Sequence, residues 1–285
     1  MGHHEHVIID AHHHLWDPAD RTYPWMDDSV APIRRRFDVD DLRAATQGTG
    51  VTRTIVVQAV HDPGETAWLL EQPGPVAGVV GWVDLTAPDV TDRIAAVRAL
   101  PGGERLVGVR HQAQDEPDAD WLARPDVARG VHALAAAGLV FDVLVRAREH
   151  AAALTLIDAV PEASFVLDHA GKPSIDTGDP AWRGRLTDFA ARPNVTCKVS
   201  GLFTEAGPDW RDRPVDRYVR GVVEQFGPER SMFGSDWPVS TLATGYADVV
   251  QRTTAALADL STTEHQAVLS GTAERVYLVQ GHPQT

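Results

Sequence analysis

Histidines and carboxylates stand directly after short apolar runs at several points in this sequence, where such groups could act together. The run VIIDA is followed by His12, His13 and His14, and later apolar runs end at His169 in LDH and at Asp236 in GSD. Alternation along an extended segment points His12 and His14 to one side and His13 to the other. Imidazoles and a carboxylate on one side can move protons for a substrate or bind a divalent metal ion.

The elements that would position these groups follow a regular alternation. Short β-branched runs alternate with longer amphipathic or Ala-rich segments, as in repeated βα units. Continuous apolar strands are typical of a parallel sheet that helices cover on both faces. The predicted strands end at Ala11, Ala59, Leu85, Arg110, Val145, His169, Gly201 and Asp236. Eight units in 285 residues predict an α/β fold, a (β/α)8 TIM barrel, with a doubly wound open sheet as the alternative. We expect one domain over residues 1–285, with a long loop over about 17–41.

Composition and the pattern of apolar runs disfavour several classes of partner and of cellular location. The net charge of -14 disfavours nucleic acid and anionic membrane surfaces. No apolar run approaches the roughly 18 to 20 residues of a spanning helix. The single cysteine, Cys197, has no internal disulfide partner, and we expect it to be buried. The start, MGHHEH, lacks the features of a secretory signal or transit peptide, so we expect a soluble cytoplasmic protein. The sequence does not predict an oligomeric state.

In a parallel barrel, the active site lies at the carboxyl ends of the strands, and polar residues are frequent there in this sequence. We expect Asp10 and Asp168 to orient strand ends or cap helices, and most tryptophans to serve packing. Trp25, on the long first loop, could line a pocket. Further polar residues at strand ends are Gln58, His61, Asp84, Arg110, His111, Asp142, Lys172, Lys198, Ser200 and Glu205.

The ordered motifs IIDAHHHLWDP, YPWM, VGVRH, FDVLVR, FVLDHAGKP, CKVSGLFTEA and RSMFGSDWPV give this chain a family resemblance. It resembles the amidohydrolase superfamily, in particular its branch of sugar-lactone and pyrone-dicarboxylate lactonases. The resemblance implies a (β/α)8 barrel that hydrolyses a small lactone, a carboxylic ester, to the hydroxy acid. It also implies catalytic roles for His12, His14, His169 and Asp236, with Glu205 as a second acid/base candidate.

The resemblance further implies substrate contacts from Arg110, His111 and Lys198, and we add Gln58, Trp25 and Asp84 as candidates. Metal-dependent members of the superfamily carry a histidine on the fifth strand, whereas the corresponding run here, VFDVLVR, has none. His12, His14 and Asp236 could still supply three ligands to a zinc ion. Because lactones are activated esters, we expect a metal to be dispensable.

We therefore expect a lactonase whose substrate is a six-carbon aldonolactone of the fuconic or rhamnonic type, by resemblance alone. No G-x-S-x-G nucleophile elbow occurs, which argues against a serine hydrolase. A metal-dependent decarboxylase or amidohydrolase on the same barrel is the alternative, and a non-catalytic sugar-acid-binding barrel is a third.

Overall fold

Eight parallel strands form the centre of the protein in a computed structural model that describes residues 7–279. They pair in chain order, and a parallel bridge between His13 and Trp237 brings the first and last strands side by side. This order confirms the (β/α)8 barrel and excludes the doubly wound sheet, in which the strand order reverses. The strands are β1 (Ile8–His13), β2 (Val51–Val57), β3 (Val76–Gly81), β4 (Leu106–His111), β5 (Val140–Val143), β6 (Phe165–Leu167), β7 (Val195–Val199) and β8 (Ser231–Phe233).

Helices follow the strands and cover the outside of the barrel. They are α1 (Val39–Thr46), α2 (Pro63–Leu70), α3 (Val90–Arg98), α4 (Pro125–Ala136), α5 (His150–Ala159), α6 (Trp182–Ala190), α7 (Leu202–Ala206), α8 (Val215–Phe226), α9 (Tyr246–Ala256) and α10 (Thr262–Gln266). Two π-helical segments, Ala267–Gly271 and Glu274–Leu278, complete the described chain. No helix within residues 7–279 is long and apolar enough to cross a lipid bilayer.

Helices α1 and α7 were not predicted from the sequence. Helix α1 begins where the Asp38 carboxylate accepts hydrogen bonds from the backbone of Asp40 and Asp41, and the Asp41 carboxylate accepts one from the backbone of Asp38. This capping box gives the helix a defined start inside the stretch over 17–41 that we predicted as a loop. The rest of that stretch is irregular apart from a 3-10 turn at Asp28–Ile33 and an antiparallel bridge between Phe37 and Trp16.

An apolar cluster occupies the interior of the barrel, and every strand except β7 contributes to it. Its buried members are Ile9, Ala11, Ile55, Val57, Val80, Val107, Val140, Val166, Met232, Ala273 and Tyr277. The last two come from the chain beyond the eighth strand. The C-terminal π-helical region therefore takes part in filling the barrel, and we use the name interior cluster for this set.

A bulge at the end of β1 decides which histidines face the site. Asp10 pairs with Thr54 and His13 with Val56, so three steps along β1 match two along β2. The extra residue lets Ala11 and His12 both face inwards, because a bulge interrupts strict alternation. His13 instead bonds Thr54 through its Nε2 atom at 2.9 Å. The predicted separation of His13 from His12 and His14 is confirmed.

Candidate active site

Three imidazoles and one carboxylate converge at the carboxyl ends of β1, β6 and β8. The Nε2 atoms of His12 and His14 lie 3.2 Å apart. The Oδ1 atom of Asp236 lies 3.6 Å from His14 Nε2 and 3.8 Å from the Nε2 atoms of His12 and His169. All four side chains are buried. The structure thus brings together the four residues expected to be catalytic, while their roles stay predictions.

The backbone that presents His169 and Asp236 is unusual. Their φ angles are 53° and 57°, in the left-handed region that non-glycine residues rarely adopt. Glycines make room for the imidazoles. A Cβ atom on Gly201 would lie 2.7 Å from His169 Nδ1, and one on Gly234 would lie 2.8 Å from the Cβ atom of His12. Such conformations cluster at functional sites, where the surrounding structure holds them in place.

Hydrogen bonds to the far nitrogens orient the histidines. His14 donates from Nδ1 to the carbonyl oxygen of Val57 at 2.8 Å, so its Nε2 atom carries a lone pair, which faces His12 Nε2. His169 Nδ1 lies 2.8 Å from the Ser200 hydroxyl oxygen. Burial lowers the pKa of His14 to about 3 and that of His169 to about 4. Burial also lowers the pKa of His12 well below its usual value. All three rings are therefore neutral near pH 7.

A network of buried charges lies beneath the histidines. Lys198 Nζ is 2.5 Å from Asp142 Oδ2, 3.0 Å from Asp168 Oδ1 and 3.1 Å from His12 Nδ1. Arg110 Nη1 is 3.0 Å from Asp168 Oδ2. Burial opposes the charge of Asp168, yet Lys198 and its neighbours hold the pKa of this carboxyl well below its usual value. Burial raises the pKa of Asp142 to about 6, although Lys198 favours its charged form. Two cations face two carboxylates, as buried ionic groups require.

The guanidinium of Arg110 is already occupied by protein atoms. Its Nε atom donates to Gln58 Oε1 at 3.0 Å, and its Nη2 atom donates to the backbone oxygen of Gln58. Its Nη1 atom bonds Asp168 and lies 3.4 Å from His12 Nε2. We expected both Arg110 and Gln58 to contact substrate, but they bond each other. Arg110 therefore has no free pair of donors in this structure, and a contact of either residue with substrate stays a prediction.

The carboxylate of Asp236 is a hydrogen-bond acceptor that has no donor in this centre. No hydrogen-bond donor reaches its oxygens within residues 7–279, and the three imidazole nitrogens stand just beyond hydrogen-bond distance. Burial raises the pKa of Asp236, whereas His169 and Lys172 oppose that rise. A carboxylate in this state is suited to accept a proton from a water molecule.

At the rim of the site, two cationic side chains lie close to the carboxylate of Glu205. Its Oε1 atom is 3.8 Å from Lys172 Nζ, and its Oε2 atom is 3.5 Å from Arg146 Nη1. Burial lowers the pKa of Lys172, whose backbone is also left-handed with φ of 50°. The sequence holds only two lysines, Lys172 and Lys198, and both lie at this site.

A stack of aromatic rings follows β2, β3 and β4. The ring centroids of His61 and His111 are 3.9 Å apart, and Trp82 and Trp121 continue the stack at 5.7 Å and 3.8 Å. Glu116 Oε1 lies 2.7 Å from His111 Nε2. Because the two imidazoles are only 24° from parallel, their in-plane lone pairs cannot converge on one ion. This cluster is a hydrogen-bonded wall and not a metal site.

The two other predicted contact residues lie on loops. Trp25 donates from Nε1 to the backbone oxygen of Ala59 at 2.7 Å, which fastens the loop after β1 to the end of β2. Asp84 accepts hydrogen bonds through Oδ1 from the backbone and hydroxyl of Thr86 at 3.0 Å and 2.7 Å. Both side chains thus stabilise loops, and a contact with substrate stays a prediction for each.

His12, His14 and Asp236 fit the requirements of a mononuclear metal site. Their facing ligand atoms are separated by 3.2 to 3.8 Å. Tetrahedral zinc, with bonds of about 2.0 to 2.1 Å, needs ligand separations of about 3.3 Å. The bond from His14 Nδ1 to Val57 fixes the tautomer that leaves Nε2 free for a metal. Three such ligands leave one coordination position for water or substrate.

The fold and the site define a (β/α)8-barrel enzyme with a histidine–aspartate centre at the carboxyl ends of its strands. More narrowly, the chain belongs to the amidohydrolase family, whose model matches residues 9–279. The resemblance inferred from the motifs is confirmed.

Two similar proteins from Burkholderia are named as lactonases. The L-fucono-1,5-lactonase of Burkholderia ambifaria is 41% identical over 244 residues, which are 84% of this chain and 83% of that protein. The L-fucono-1,5-lactonase of Burkholderia multivorans is 39% identical and covers 94% of this chain and 95% of its own length. A crystal structure of a Burkholderia multivorans amidohydrolase with bound zinc is 38% identical, with a TM-score of 0.87 over 95% of this chain and 99% of that one.

Proposed function

We propose that this protein hydrolyses a sugar 1,5-lactone, with L-fucono-1,5-lactone as the first candidate substrate. The observation that carries the proposal is the open carboxylate of Asp236 among neutral imidazoles, above a network that already neutralises Lys198 and Arg110. The names and coverage of the two Burkholderia relatives support a sugar-lactone hydrolase.

The distribution of charge favours a neutral substrate over a dicarboxylated one. Lys198 is fully buried and Arg110 is 2% exposed, and each is paired with carboxylates. At the rim, Lys172 and Arg146 share Glu205. Binding a dianion would require unpaired cationic donors, of the kind that guanidinium groups offer to carboxylates. A polyhydroxylated lactone needs only neutral hydrogen-bonding partners.

The geometry supports hydrolysis without a covalent intermediate. Asp236 takes a proton from water while the water oxygen attacks the lactone carbonyl carbon, and the carbonyl π electrons move to its oxygen. His169 donates from Nε2 to that oxyanion when Ser200 donates to its Nδ1 atom. The ring carbon–oxygen bond then breaks, and Asp236 returns the proton to the departing ring oxygen. A positioned base contributes roughly 10² to 10⁴-fold, and one oxyanion donor about 10² to 10³-fold.

His12 and His14 form the wall that places the water beside Asp236, and Glu205 is the second acid/base candidate. A divalent ion held by His12, His14 and Asp236 would polarise the lactone carbonyl and lower the pKa of a bound water. We propose that turnover does not require this ion, because the general base, Asp236, and an oxyanion donor, His169, are both built into the chain.

Acid release from L-fucono-1,5-lactone, followed with a pH indicator and corrected for spontaneous hydrolysis, tests the proposal. We expect turnover by the wild type and a loss of roughly 10² to 10⁴-fold in Asp236→Asn. The matched control is Asp259→Asn, an exposed carboxylate on the loop after α9, which should keep wild-type rates. If the wild type hydrolysed none of the aldono-1,5-lactones tested, the proposed function would be refuted. Wild-type rates in Asp236→Asn would refute the base and direct the test to Glu205.

A further inference from the structure

The chain beyond α10 enters the barrel from the face opposite the candidate active site. The π-helical segment Glu274–Leu278 is fastened near the amino-terminal ends of β2 and β8 by two ion pairs. Glu274 lies 2.9 Å from Arg53, and Arg275 lies 3.3 Å from Glu229. Tyr277, on this segment, is 1% exposed and belongs to the interior cluster. Short π-helical turns recur at functional sites in proteins.

The side chain of Tyr277 reaches the floor of the active site. Its hydroxyl donates to Asp142 Oδ1 at 2.7 Å, and the other oxygen of Asp142 lies 2.5 Å from Lys198 Nζ. Lys198 Nζ lies over the Tyr277 ring, 5.4 Å from its centroid, and 3.1 Å from His12 Nδ1. Tyr277 thus acts on Lys198 in two ways, through the carboxylate of Asp142 and through the face of its own ring.

Packing alone does not require the Tyr277 hydroxyl. The rest of the interior cluster is apolar, and a phenylalanine would fill the same space. A buried hydroxyl is unfavourable unless it is hydrogen-bonded, and here its partner is a buried carboxylate oxygen. Without this donor, Asp142 Oδ1 would lack a hydrogen bond in a dry interior, and Asp142 is the closest counter-charge of Lys198.

We propose that Tyr277 is a positioning residue that holds Lys198 against His12 through Asp142. Its effect on turnover rests on the lactone hydrolysis proposed above. The placement of Lys198, by contrast, can be measured without any substrate. The C-terminal segment Glu274–Leu278 then contributes to the candidate active site as well as to the fold, because Tyr277 approaches the site from the opposite face of the barrel.

The two-lysine composition allows a direct measurement of Lys198. Protein labelled with 15N at lysine Nζ should give two ammonium resonances, and Lys172→Arg assigns them by removing one. In the wild type we expect slow exchange of the Lys198 Nζ protons with water, since this ammonium group is fully buried. Tyr277→Phe should shift that resonance and speed its exchange by about 10-fold or more, as a lost buried hydrogen bond permits local opening.

The matched control is Tyr218→Phe. Tyr218 is also buried, beside Trp182, and its hydroxyl has no hydrogen bond within residues 7–279. This variant should leave the Lys198 resonance unchanged. In the lactone assay, Tyr277→Phe should lower kcat roughly 10-fold, as changes to groups that orient catalytic side chains do. KM should stay within about twofold, because the substrate-facing groups are intact.

An unchanged Lys198 resonance in folded Tyr277→Phe would overturn the proposal, and so would a loss of kcat without a change in that resonance. Should Tyr277→Phe fail to fold, Asp142→Asn is measured instead. This variant removes the counter-charge of Lys198 but keeps an oxygen atom that can accept from Tyr277. An unchanged Lys198 resonance in Asp142→Asn would also overturn the proposal. If the wild type opens no lactone, the proposed function fails, while the resonance still decides the role of Tyr277.

Discussion

The buried carboxyl of Glu65 should make this protein less stable as pH rises from mildly acidic to neutral. Glu65 lies in the first turn of α2, fully buried, and accepts hydrogen bonds from the backbone of Ala59 and Val60 at 2.8 Å and 3.1 Å. Burial raises its pKa from 4.5 to about 7, although these backbone donors and Arg21 favour the charged form. It therefore releases its proton in the folded protein only near neutral pH.

The size of the effect follows from the difference between the two pKa values. A carboxyl with a raised folded-state pKa stabilises the fold in full below its unfolded pKa, and this contribution is lost as pH rises through the folded pKa. At about 1.4 kcal/mol per pKa unit, the shift of Glu65 from 4.5 to about 7 corresponds to roughly 3 kcal/mol. The window for the loss is therefore between about pH 4.5 and pH 7.

Glu65→Gln isolates this contribution. Its amide oxygen can accept the same two backbone hydrogen bonds but does not titrate over this range. We expect the free energy of unfolding of Glu65→Gln, relative to the wild type, to increase by roughly 3 kcal/mol between pH 4.5 and pH 8. Urea unfolding followed by tryptophan fluorescence measures it. Glu71→Gln, exposed at the end of α2, is the control and should follow the wild type at every pH. Parallel stability profiles for Glu65→Gln and the wild type would refute the reasoning.

Two further predictions concern the site and its metal. Asp10 accepts hydrogen bonds from His12 N, Ser235 N, Ser235 Oγ and the Tyr246 hydroxyl at 2.6 to 3.0 Å. Asp10→Asn should lower the free energy of unfolding by roughly 2 to 4 kcal/mol, because buried donors lose their charged acceptor. Asp10→Asn should also reduce kcat, since Ser235 directly precedes Asp236. If urea unfolding gave this variant the same stability as the wild type, the structural role of Asp10 would be contradicted. Enzyme freed of metal by a chelator, with the loss verified by elemental analysis, should retain its kcat, and a need for added zinc would show that the ion is required.

The fold was predictable because its signals are local and repeated. Each predicted strand is a continuous apolar run, and the parallel barrel buries both faces of such runs. Helix α7 was missed for the opposite reason, since its five residues, Leu202–Ala206, are too few to show a helical period. Helix α1 begins at Asp38 by capping chemistry inside a polar stretch, where periodicity carries little information.

The candidate catalytic residues were predictable because strand ends meet in a barrel, whereas their bonding partners were not. The position of His169 after β6 is enough to bring it near His12. Nothing in the sequence near Arg110 shows that Gln58, 52 residues away, occupies its guanidinium. The contact of Tyr277 with Asp142 spans 135 residues and depends on how the C-terminal segment fills the barrel. Such partners are set by packing in three dimensions, which a single sequence does not encode in any local pattern.

The scarcity of lysine points to the chemistry of the site. Among 26 Lys and Arg residues only two are lysines, and both stand at the catalytic end of the barrel. Lys198 needs a compact ammonium group, because its three partners, on Asp142, Asp168 and His12, surround one nitrogen atom. A planar guanidinium presents its donors in one plane and would not satisfy that arrangement. Burial is the main reason for the lowered pKa values of the three histidines above this network, and Arg110 and Lys198 lower the pKa of His14 further.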